Sequence, residues 1–261
     1  MRPPDNKAAW HRPDVAINLS TGHGLQPPEQ AVMDKLGPWL EGKRMLDVAV
    51  GAGRTTPYFA PIVGSYLGTD FSAPILEEAR SSVGDQFSNV SFAVEDMRDL
   101  SGYETGSFDF VLCSFNGLDC IDHDERLAVL SEFRRVCDPS GALFFSSHNL
   151  GSLRDLFRLE DERQPGLVDK VRRLARYGVL RTLNQSPRRL MTKPHAMVRD
   201  GALNFGLNHY YVRPEEQVAQ LNLAGFPSVE VYGLDGRLIA GSALDEATDG
   251  WLYYLASCPA P

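Results

Sequence analysis

The feature that most constrains the fold is the stretch LDVAVGAGRTTPYFA, which runs from Leu46 to Ala60. It begins with apolar residues typical of a buried strand, turns at Gly51 and Gly53, and continues in a helical pattern. Because glycine lacks a Cβ, the backbone of this turn can approach a ligand closely, and the start of the helix offers unpaired N–H groups. The stretch therefore predicts a nucleotide-type binding turn between a strand and a helix.

This turn differs from the dinucleotide fingerprint G-x-G-x-x-G. The fingerprint requires a third glycine where Thr56 stands, and position 49 is an alanine. A glycine turn alone is weak evidence for any one ligand, so the residues that follow the neighbouring strands must identify it.

Strand and helix patterns alternate along the first 150 residues. Five segments have strand patterns: RMLDVAV, GSYLGTDF, VSFAVEDM, FDFVLCSF and GALFFSSHN. Helical patterns lie between them, and the clearest is DERLAVLSEFRRVC, which has apolar residues on one face. The alternation predicts an α/β fold with a parallel sheet, helices on both faces, and a ligand site at the carboxyl ends of the strands.

Two carboxylates end successive predicted strands. Asp70 ends the second strand, where it can accept hydrogen bonds from both hydroxyls of a ribose, and Asp96 ends the third, where it can accept from the exocyclic amine of an adenine. Structural interpretations compete with these roles, because Asp47 can be only a strand-end residue and Asp70 can be a helix N-cap.

With these residues the chain resembles the class I S-adenosylmethionine-dependent methyltransferases, over roughly Met45 to Asn149 and more loosely to the C-terminal strand pair. The family pattern D-x-[GA]-x-G-x-G stands here as DVAVGAG. The resemblance implies a Rossmann-like, mostly parallel sheet of seven strands, with GWLYYLASC as an antiparallel strand beside the fifth. It also implies S-adenosylmethionine as cofactor and S-adenosylhomocysteine as product.

By this resemblance ten residues would contact the cofactor. Asp47 would orient the amino end, Asp70 would hold the ribose, and Phe71 would pack on the adenine unless it is only a core residue. Asp96 and the backbone of Met97 would contact the adenine edge. The remaining five would line the loop or lie near the methionine end: Ala49, Gly51, Gly53, Ser114 and Phe115.

The acceptor side is predicted around the end of the fifth strand. A sulfonium methyl is already a good electrophile, so the protein has mainly to align the acceptor and exclude water, and an oxygen or nitrogen acceptor also needs a base. His148 in FFSSHNL is the candidate base, and a strand-end histidine bonded to backbone is the alternative. Asn116, Asn149, His209 and Tyr210 are the candidate substrate-binding residues, with core packing as the alternative for the tyrosine.

The charge distribution indicates a separate unit after the fifth strand. Residues 151–200 hold twelve Lys/Arg and six Asp/Glu, a local charge of +6, whereas the rest of the chain carries −14. Six arginines of this segment allow two interpretations: contact with an anionic acceptor, or pairing with the acidic body or a second subunit. These are Arg172, Arg173, Arg176, Arg181, Arg188 and Arg189.

Four segments are therefore expected. Residues 1–44 would form an N-terminal helical lid, to which the resemblance assigns Trp10, His11 and His23, and residues 45–150 the cofactor-binding core. Residues 151–207 would form an α-helical cap insertion on the acceptor side, and residues 208–261 would complete the sheet.

Composition narrows the class of function. The net charge of −8 argues against a duplex nucleic-acid partner, and the chain shows neither a signal sequence nor an apolar run that could span a membrane. We expect a cytoplasmic protein, a monomer or homodimer, with its four scattered cysteines reduced and no metal site.

The predicted function is methyl transfer to an oxygen or nitrogen of a small-molecule acceptor, of the kind that occurs in small-molecule biosynthesis. Two alternatives stay open: an NAD(P)-dependent oxidoreductase on the same type of sheet, and a non-catalytic protein that keeps only the cofactor fold.

Overall fold

The structure is a computed structural model that describes Asn6, residues 24–158 and residues 167–257. Trp10, His11 and His23, which were assigned to the lid, lie outside the described residues, as does Cys258, one of the four cysteines.

The elements follow the alternation along the core. The helices are α1 (Pro27–Leu40), α2 (Thr56–Phe59), α3 (Ala73–Val83), α4 (His123–Val136), α5 (Leu153–Leu156), α6 (Leu167–Leu183), α7 (Pro187–Leu190) and α8 (Pro214–Ala224). The strands are β1 (Arg44–Val48), β2 (Ser65–Asp70), β3 (Val90–Val94), β4 (Phe108–Cys113), β5 (Cys137–Asn149), β6 (His195–Val198), β7 (His209–Val212), β8 (Ser228–Tyr232), β9 (Leu238–Ile239) and β10 (Trp251–Ser257).

One sheet runs through the molecule in the order β3-β2-β1-β4-β5-β10-β8-β9. Strands β1 to β5 pair in parallel, and β10 lies antiparallel between β5 and β8. The predicted α/β class and the antiparallel strand beside the fifth are confirmed. Among the described residues the sheet has ten strands rather than seven, because a β6–β7 hairpin and the two-residue β9 extend it.

Apolar side chains on the two faces of the sheet form two cores, since successive residues of a strand point to opposite faces. On β1, Leu46 and Val48 pack in one core together with Phe133 of α4 and Leu221 of α8, whereas Met45 packs in the other. The second core contains Val32 and Leu40 of α1, Phe59 of α2 and Leu76 of α3. Helices therefore cover both faces and leave the carboxyl ends of the strands for the site.

The segment after β5, which was expected to be an α-helical cap insertion, contains the strand β6 as well as helices. The stretch NQSPRRLMTKPH contains the short helix α7, which Pro187 begins, and its last residue starts β6. Strand β7 pairs in parallel with only the last two residues of β5, His148 and Asn149. Strand β6, which lies within the expected insertion, pairs in turn with β7, so the insertion is attached to the sheet near the point where β5 reaches the site. None of the described helices is both long and apolar enough to cross a membrane.

Candidate active site

A cavity of about 890 Å³ opens at the carboxyl ends of β1, β2, β4 and β5. Residues at the ends of the core strands line one part of its wall. Residues between 197 and 207 of the expected insertion, together with Asn208 and His209, line another part. Twelve of the fifteen predicted site residues lie in this wall: Asp47, Ala49, Gly51, Asp70, Phe71, Asp96, Met97, Ser114, Phe115, Asn116, His148 and His209. Gly53, Asn149 and Tyr210 do not.

The turn after β1 has the backbone that its glycines predict. Gly51 has φ +59°, and a Cβ built there would meet no atom within 4 Å, so a side chain would project into open space of the cavity wall. Ala49 has φ +54°, a left-handed conformation that costs a residue with a Cβ roughly 1–2 kcal/mol. The turn therefore brings its backbone to the cavity at some cost in strain.

Gly53 does not line the cavity and instead packs against neighbouring side chains. Its φ is +79°, and a Cβ there would lie 3.3 Å from Thr56 Oγ1 and 3.3 Å from Val83 Cγ2. Gly53 is absent from the cavity lining, and the absence of a side chain there allows the turn to lie close to α3.

Asp70 is buried at the end of β2 and stabilises two backbone groups. Its Oδ2 accepts from Gly51 N at 3.1 Å, and its Oδ1 accepts from Ser72 N at 2.9 Å. Asp70 thus fixes the glycine turn and also supports the start of α3, which was the structural alternative. Phe71 follows it in the cavity wall.

Asp96, after β3, is held by Arg98. The guanidinium donates to both carboxylate oxygens, at 2.9 and 2.6 Å, and donates again to Glu125 at 2.7 Å. These contacts fix the carboxylate of Asp96 beside Met97 in the cavity wall.

Asp47 lies buried at the end of β1. Thr55 Oγ1 donates to its Oδ2 at 2.6 Å, and the Tyr66 hydroxyl donates to the same oxygen at 2.5 Å. Burial raises the pKa of Asp47 to about 6, although the two hydroxyls act in the opposite direction. A positively charged ligand group beside Asp47 would stabilise its ionised form.

Sequence reasoning missed the pair formed by Arg54 and Glu29. Arg54, in the glycine turn, donates to both oxygens of Glu29 in α1, at 2.7 and 2.6 Å. Ser114 also donates to Glu29, and the Arg54 guanidinium lies 5.3 Å from the centre of the Phe115 ring. The wall at the end of β4 therefore presents a guanidinium held by a fully buried carboxylate.

Asp119 is a second residue that sequence reasoning missed. It lies in the turn Gly117–Cys120, and its Oδ2 is 2.7 Å from His148 Nδ1 and 2.7 Å from His148 N. Because Asp119 accepts from Nδ1–H, the lone pair of the imidazole is on Nε2. Nε2 is 3.5 Å from Asn116 Nδ2, and both residues line the cavity.

A buried cation holds Asp119 in its ionised form. Arg126 of α4 donates to Asp119 Oδ1 at 2.7 Å, and Ser147 Oγ donates to it at 2.8 Å. Burial raises the pKa of Asp119, but Arg126 and His148 together hold it below its ordinary value. The same guanidinium donates to Gln217 of α8 at 2.6 Å, so a polar network that crosses the core supports the histidine.

A second carboxylate–imidazole pair, Asp200 and His209, lies beside the first. His209 Nδ1 is 2.7 Å from Asp200 Oδ2, which also accepts from the Tyr211 hydroxyl at 3.1 Å. Burial lowers the pKa of His209, but Asp200 and Cys120 outweigh it and raise that pKa to about 10, whereas the pKa of Asp200 falls to about 2. The His148 ring stacks on both His209, at 4.9 Å, and Tyr211, at 4.7 Å.

Asn149 and Tyr210 have structural positions outside the wall. Asn149 accepts from Gly151 N at 2.8 Å and donates to Ala247 O at 2.8 Å, so it supports the turn after β5. The Tyr210 hydroxyl is 2.7 Å from His123 Nδ1 and borders a different cavity, of about 650 Å³. Their predicted substrate contacts are therefore not supported by the geometry, and core packing describes Tyr210 better.

None of the six arginines that the charge distribution pointed to lies in the wall that the described residues form. Arg176, for example, donates to Asp200 O at 3.2 Å and lies over the Phe205 ring. Contact between these arginines and an anionic acceptor therefore has no support in the cavity lining.

Residues 45–141 match a family model described as a methyltransferase domain. A ubiquinone biosynthesis O-methyltransferase of Xanthomonas oryzae pv. oryzae is 29% identical over 111 residues, which are 42% of this chain and 45% of that relative. The chain spans about half the length of the curated relatives that it matches.

Two solved structures show the same fold. An S-adenosylmethionine-dependent methyltransferase from Mesorhizobium loti superposes with a TM-score of 0.59 at 17% identity, over 88% of this chain and 97% of that one. The 1,6-didemethyltoxoflavin-N1-methyltransferase of Burkholderia thailandensis, solved with its substrate and S-adenosylhomocysteine, gives 0.60 at 13% identity, over 96% and 84%. The resemblance predicted from the sequence is confirmed for residues 45–141.

Proposed function

We propose that this chain, whose residues 45–141 match a methyltransferase domain, is a class I S-adenosylmethionine-dependent enzyme that methylates an oxygen or nitrogen of a small-molecule acceptor. The observation that carries the proposal is one cavity whose wall joins the carboxylates Asp47, Asp70 and Asp96, at or just after the ends of β1, β2 and β3, to His148. The Nδ1 of His148 is held by Asp119, and its Nε2 lies beside Asn116 in the same wall. The part of the wall around the three carboxylates, the cofactor half, suits a nucleoside with an amino-acid tail. The part around His148, the acceptor half, suits removal of a proton from an acceptor.

The cofactor half supplies a group for each part of S-adenosylmethionine. Asp47 would pair with the ammonium, Asp70 and the Gly51 turn would hold the ribose, and Asp96 with Met97 would meet the adenine edge. Arg54 would hold the carboxylate of the methionine tail, because a guanidinium fixed by Glu29 is already oriented and only 17% exposed. Phe71, Ala49, Ser114 and Phe115 would complete this wall.

In the acceptor half His148 would serve as the base. The acceptor atom would attack the sulfonium methyl, so that a C–O or C–N bond forms as the S–CH3 bond breaks, and its proton would pass to His148 Nε2. Asp119 would hold the ring in the required tautomer and stabilise the imidazolium that forms. Asn116 lies beside Nε2 with a buried Oδ1 that has no hydrogen-bond partner among the described residues, so it can accept from an acceptor hydroxyl or amine.

The other wall residues favour a flat acceptor. The rings of His148, His209 and Trp251 border the acceptor half, and Phe115 of the cofactor wall packs edge-on against Trp251 with 6.0 Å between the ring centres. Met197, Leu203 and Leu207 of the insertion add apolar surface. The relatives support this inference by name, since one is a ubiquinone biosynthesis O-methyltransferase and one structure holds 1,6-didemethyltoxoflavin.

The segments outside the domain would cover this cavity. Residues 1–44 would form the lid, which is supported by Asn6, whose amide donates to Cys120 O at 2.6 Å and to Asn208 O at 2.7 Å. Residues 151–207 would form the cap, and residues 208–261 would complete the sheet. A cytoplasmic location, and a monomer or homodimer, stay predictions.

Titration calorimetry tests the cofactor. We expect S-adenosylmethionine and S-adenosylhomocysteine to bind and NAD⁺ not to bind, because buried Thr56, bonded to Tyr66, occupies the place of the third glycine. Binding of NAD⁺ alone would favour the oxidoreductase alternative. A screen of flat hydroxyl and amine compounds for S-adenosylhomocysteine release then tests turnover, and cofactor binding without any turnover would favour the non-catalytic alternative.

A further inference from the structure

Three potential metal ligands meet beside the acceptor half of the cavity. His148, His209 and Asp200 each offer one ligand atom, and these atoms all lie within 4.8 Å of one another. Their side chains are 14%, 11% and 12% exposed, so the cluster lies beneath the cavity surface rather than on the outside of the molecule. The proposed methyl transfer uses only one of the three.

The donor set is typical of first-row transition-metal sites. Two imidazole nitrogens and one carboxylate oxygen are the ligands of many catalytic zinc sites and of non-haem iron sites, and such sites keep coordination positions open for a bound molecule. Calcium and magnesium prefer sets made only of oxygen. A set with two histidines therefore favours Zn²⁺, Mn²⁺ or Fe²⁺.

The surroundings orient these ligands as metal sites require. A histidine ligand usually donates its other ring N–H to a carboxylate, which fixes the tautomer and directs the free nitrogen at the metal. Asp119 does this for His148 at 2.7 Å. Asp200 is itself held by Ala202 N at 2.9 Å and by the Tyr211 hydroxyl at 3.1 Å.

The spacing allows an ion after a small movement. Ligand atoms about 2.1 Å from an ion lie roughly 3–4 Å from one another. His209 Nδ1 and Asp200 Oδ2, at 2.7 Å, are already close enough to share an ion in place of the proton that now lies between them. That proton would leave to solvent on binding, as protons of metal ligands do. The stacked rings of His148 and His209 must turn toward each other to complete the set.

We propose that His148, His209 and Asp200 bind one divalent transition-metal ion at the acceptor end of the cavity. The ion would act as a Lewis acid that positions an acceptor hydroxyl and lowers its pKa, so that the hydroxyl would lose its proton to solvent before the oxygen attacks the methyl group. His148 would be a ligand in the metal-loaded chain and the base in the metal-free chain. This role of the ion rests on the proposed methyl transfer, whereas binding of the ion does not.

Metal titration of the full chain tests the site. After removal of metal with EDTA and dialysis, Zn²⁺ and Mn²⁺ are titrated calorimetrically, and zinc retained after a second dialysis is measured by mass spectrometry. We expect one ion per chain, and at least about tenfold weaker binding in Asp200→Asn and His209→Gln. His123→Ala is the matched control, because His123 stacks on His195 outside this cluster and should bind metal like the wild type. Absence of stoichiometric binding, or wild-type affinity in Asp200→Asn and His209→Gln, would overturn the site.

Two further measurements separate this inference from the proposed function. S-adenosylmethionine is titrated into the EDTA-treated chain, where binding of the cofactor without binding of metal would remove the metal site and leave the methyltransferase proposal standing. Binding of metal without binding of cofactor would remove the methyltransferase proposal and leave the metal site standing. Once an acceptor is known, equal turnover before and after metal is restored would overturn the role of the ion.

Discussion

A single oxygen of Asp119, Oδ2, lies 2.7 Å from both the backbone nitrogen and the ring Nδ1 of His148. The carboxylate therefore fixes the residue twice, once through the chain and once through the imidazole. Since the strand end and the ring are held by one group, His148 cannot turn away from the cavity unless a buried hydrogen bond is broken.

Replacing His148 should separate chemistry from cofactor binding. We expect His148→Ala to lower kcat by about 10²–10⁴-fold, because the acceptor proton loses its destination, while the Kd for S-adenosylmethionine stays within about twofold. Steady-state kinetics and calorimetry measure the two quantities. His123→Ala should leave both unchanged, and a loss of only a few fold in His148→Ala would return His148 to a structural role.

Removing the cation behind Asp119 should destabilise the fold. Arg126 and Asp119 are both fully buried, so Arg126→Met leaves a carboxylate without its buried partner, which typically costs about 3–5 kcal/mol of unfolding free energy. Urea denaturation followed by circular dichroism measures it. The double variant Arg126→Met/Asp119→Leu should recover part of the loss, and a single variant as stable as the wild type would contradict this account of the network.

A side chain at Gly51 should block the cofactor. Gly51→Val places a branched side chain in open space of the cavity wall, on backbone whose positive φ disfavours it, so binding of S-adenosylmethionine should be lost. Gly102→Val is the control, since a Cβ at Gly102 also meets nothing within 4 Å and Gly102 is not in the wall. Calorimetry should show wild-type affinity for the control, and binding in Gly51→Val would refute the turn as the cofactor site.

Loss of the Asp70 carboxylate should weaken binding of the cofactor, but less than Gly51→Val does. Charge-assisted hydrogen bonds contribute about 1.5–3 kcal/mol, so Asp70→Ala should raise the Kd by roughly 10–100-fold. Because Asp70 also supports Gly51 N and Ser72 N, the unfolding free energy must be measured alongside. An unchanged Kd in the folded variant would exclude a ribose contact.

Cofactor affinity should fall in acid because of Asp47. Its pKa in the folded chain, about 6, lies above its ordinary value, so Asp47 is ionised at pH 7 and mostly protonated at pH 5. If the cofactor ammonium binds the carboxylate, each pH unit below 6 costs about tenfold in affinity, and the Kd should rise roughly tenfold from pH 7 to pH 5. Asp47→Asn should bind more weakly and show no such pH dependence. A wild-type Kd that does not change between pH 7 and pH 5 would show that Asp47 does not bind the cofactor ammonium.

The free energy of unfolding of the cofactor-free protein should depend on Asp47 in the opposite direction, so that its contribution rises as the pH falls. Burial makes ionised Asp47 unfavourable in the folded chain, so its cost is present above pH 6 and is relieved as the pH falls toward 4. A fall in pH therefore increases the contribution of Asp47 to the stability of the cofactor-free protein, while it decreases the affinity for the cofactor.

The sequence pattern was sufficient for residues whose position depends on the end of a strand. Asp47, Asp70 and His148 each lie at or next to the last residue of a strand that pairs in parallel with its neighbour, and the carboxyl ends of such strands meet at one edge of the sheet. The alternation of side chains along a strand explains why two predicted residues do not line the cavity. Asn149 follows His148 and Tyr210 follows His209, so each points away from the face on which its neighbour lies.

Residues that reach the site from distant parts of the chain could not be predicted in this way. Glu29 meets Ser114 across 85 positions, and Asp119 meets His148 across 29. Neither acid has a local pattern that points to its partner, since Glu29 is a first-turn helix acid and Asp119 lies in a short turn. Only the assembled sheet brings α1 and the turn after β4 to the cavity.

The position of β10 has a consequence for how the protein is made. Strand β10 lies inside the sheet, between β5 and β8, and within it Trp251 pairs with His148. A ribosome adds roughly 5–20 residues per second, so residues 44–149 emerge seconds before the strand that must join them. During that interval β5 exposes an unpaired edge, which is where a nascent chain aggregates or recruits a chaperone. The wall that would select the acceptor is thus completed last, after translation has passed residue 257.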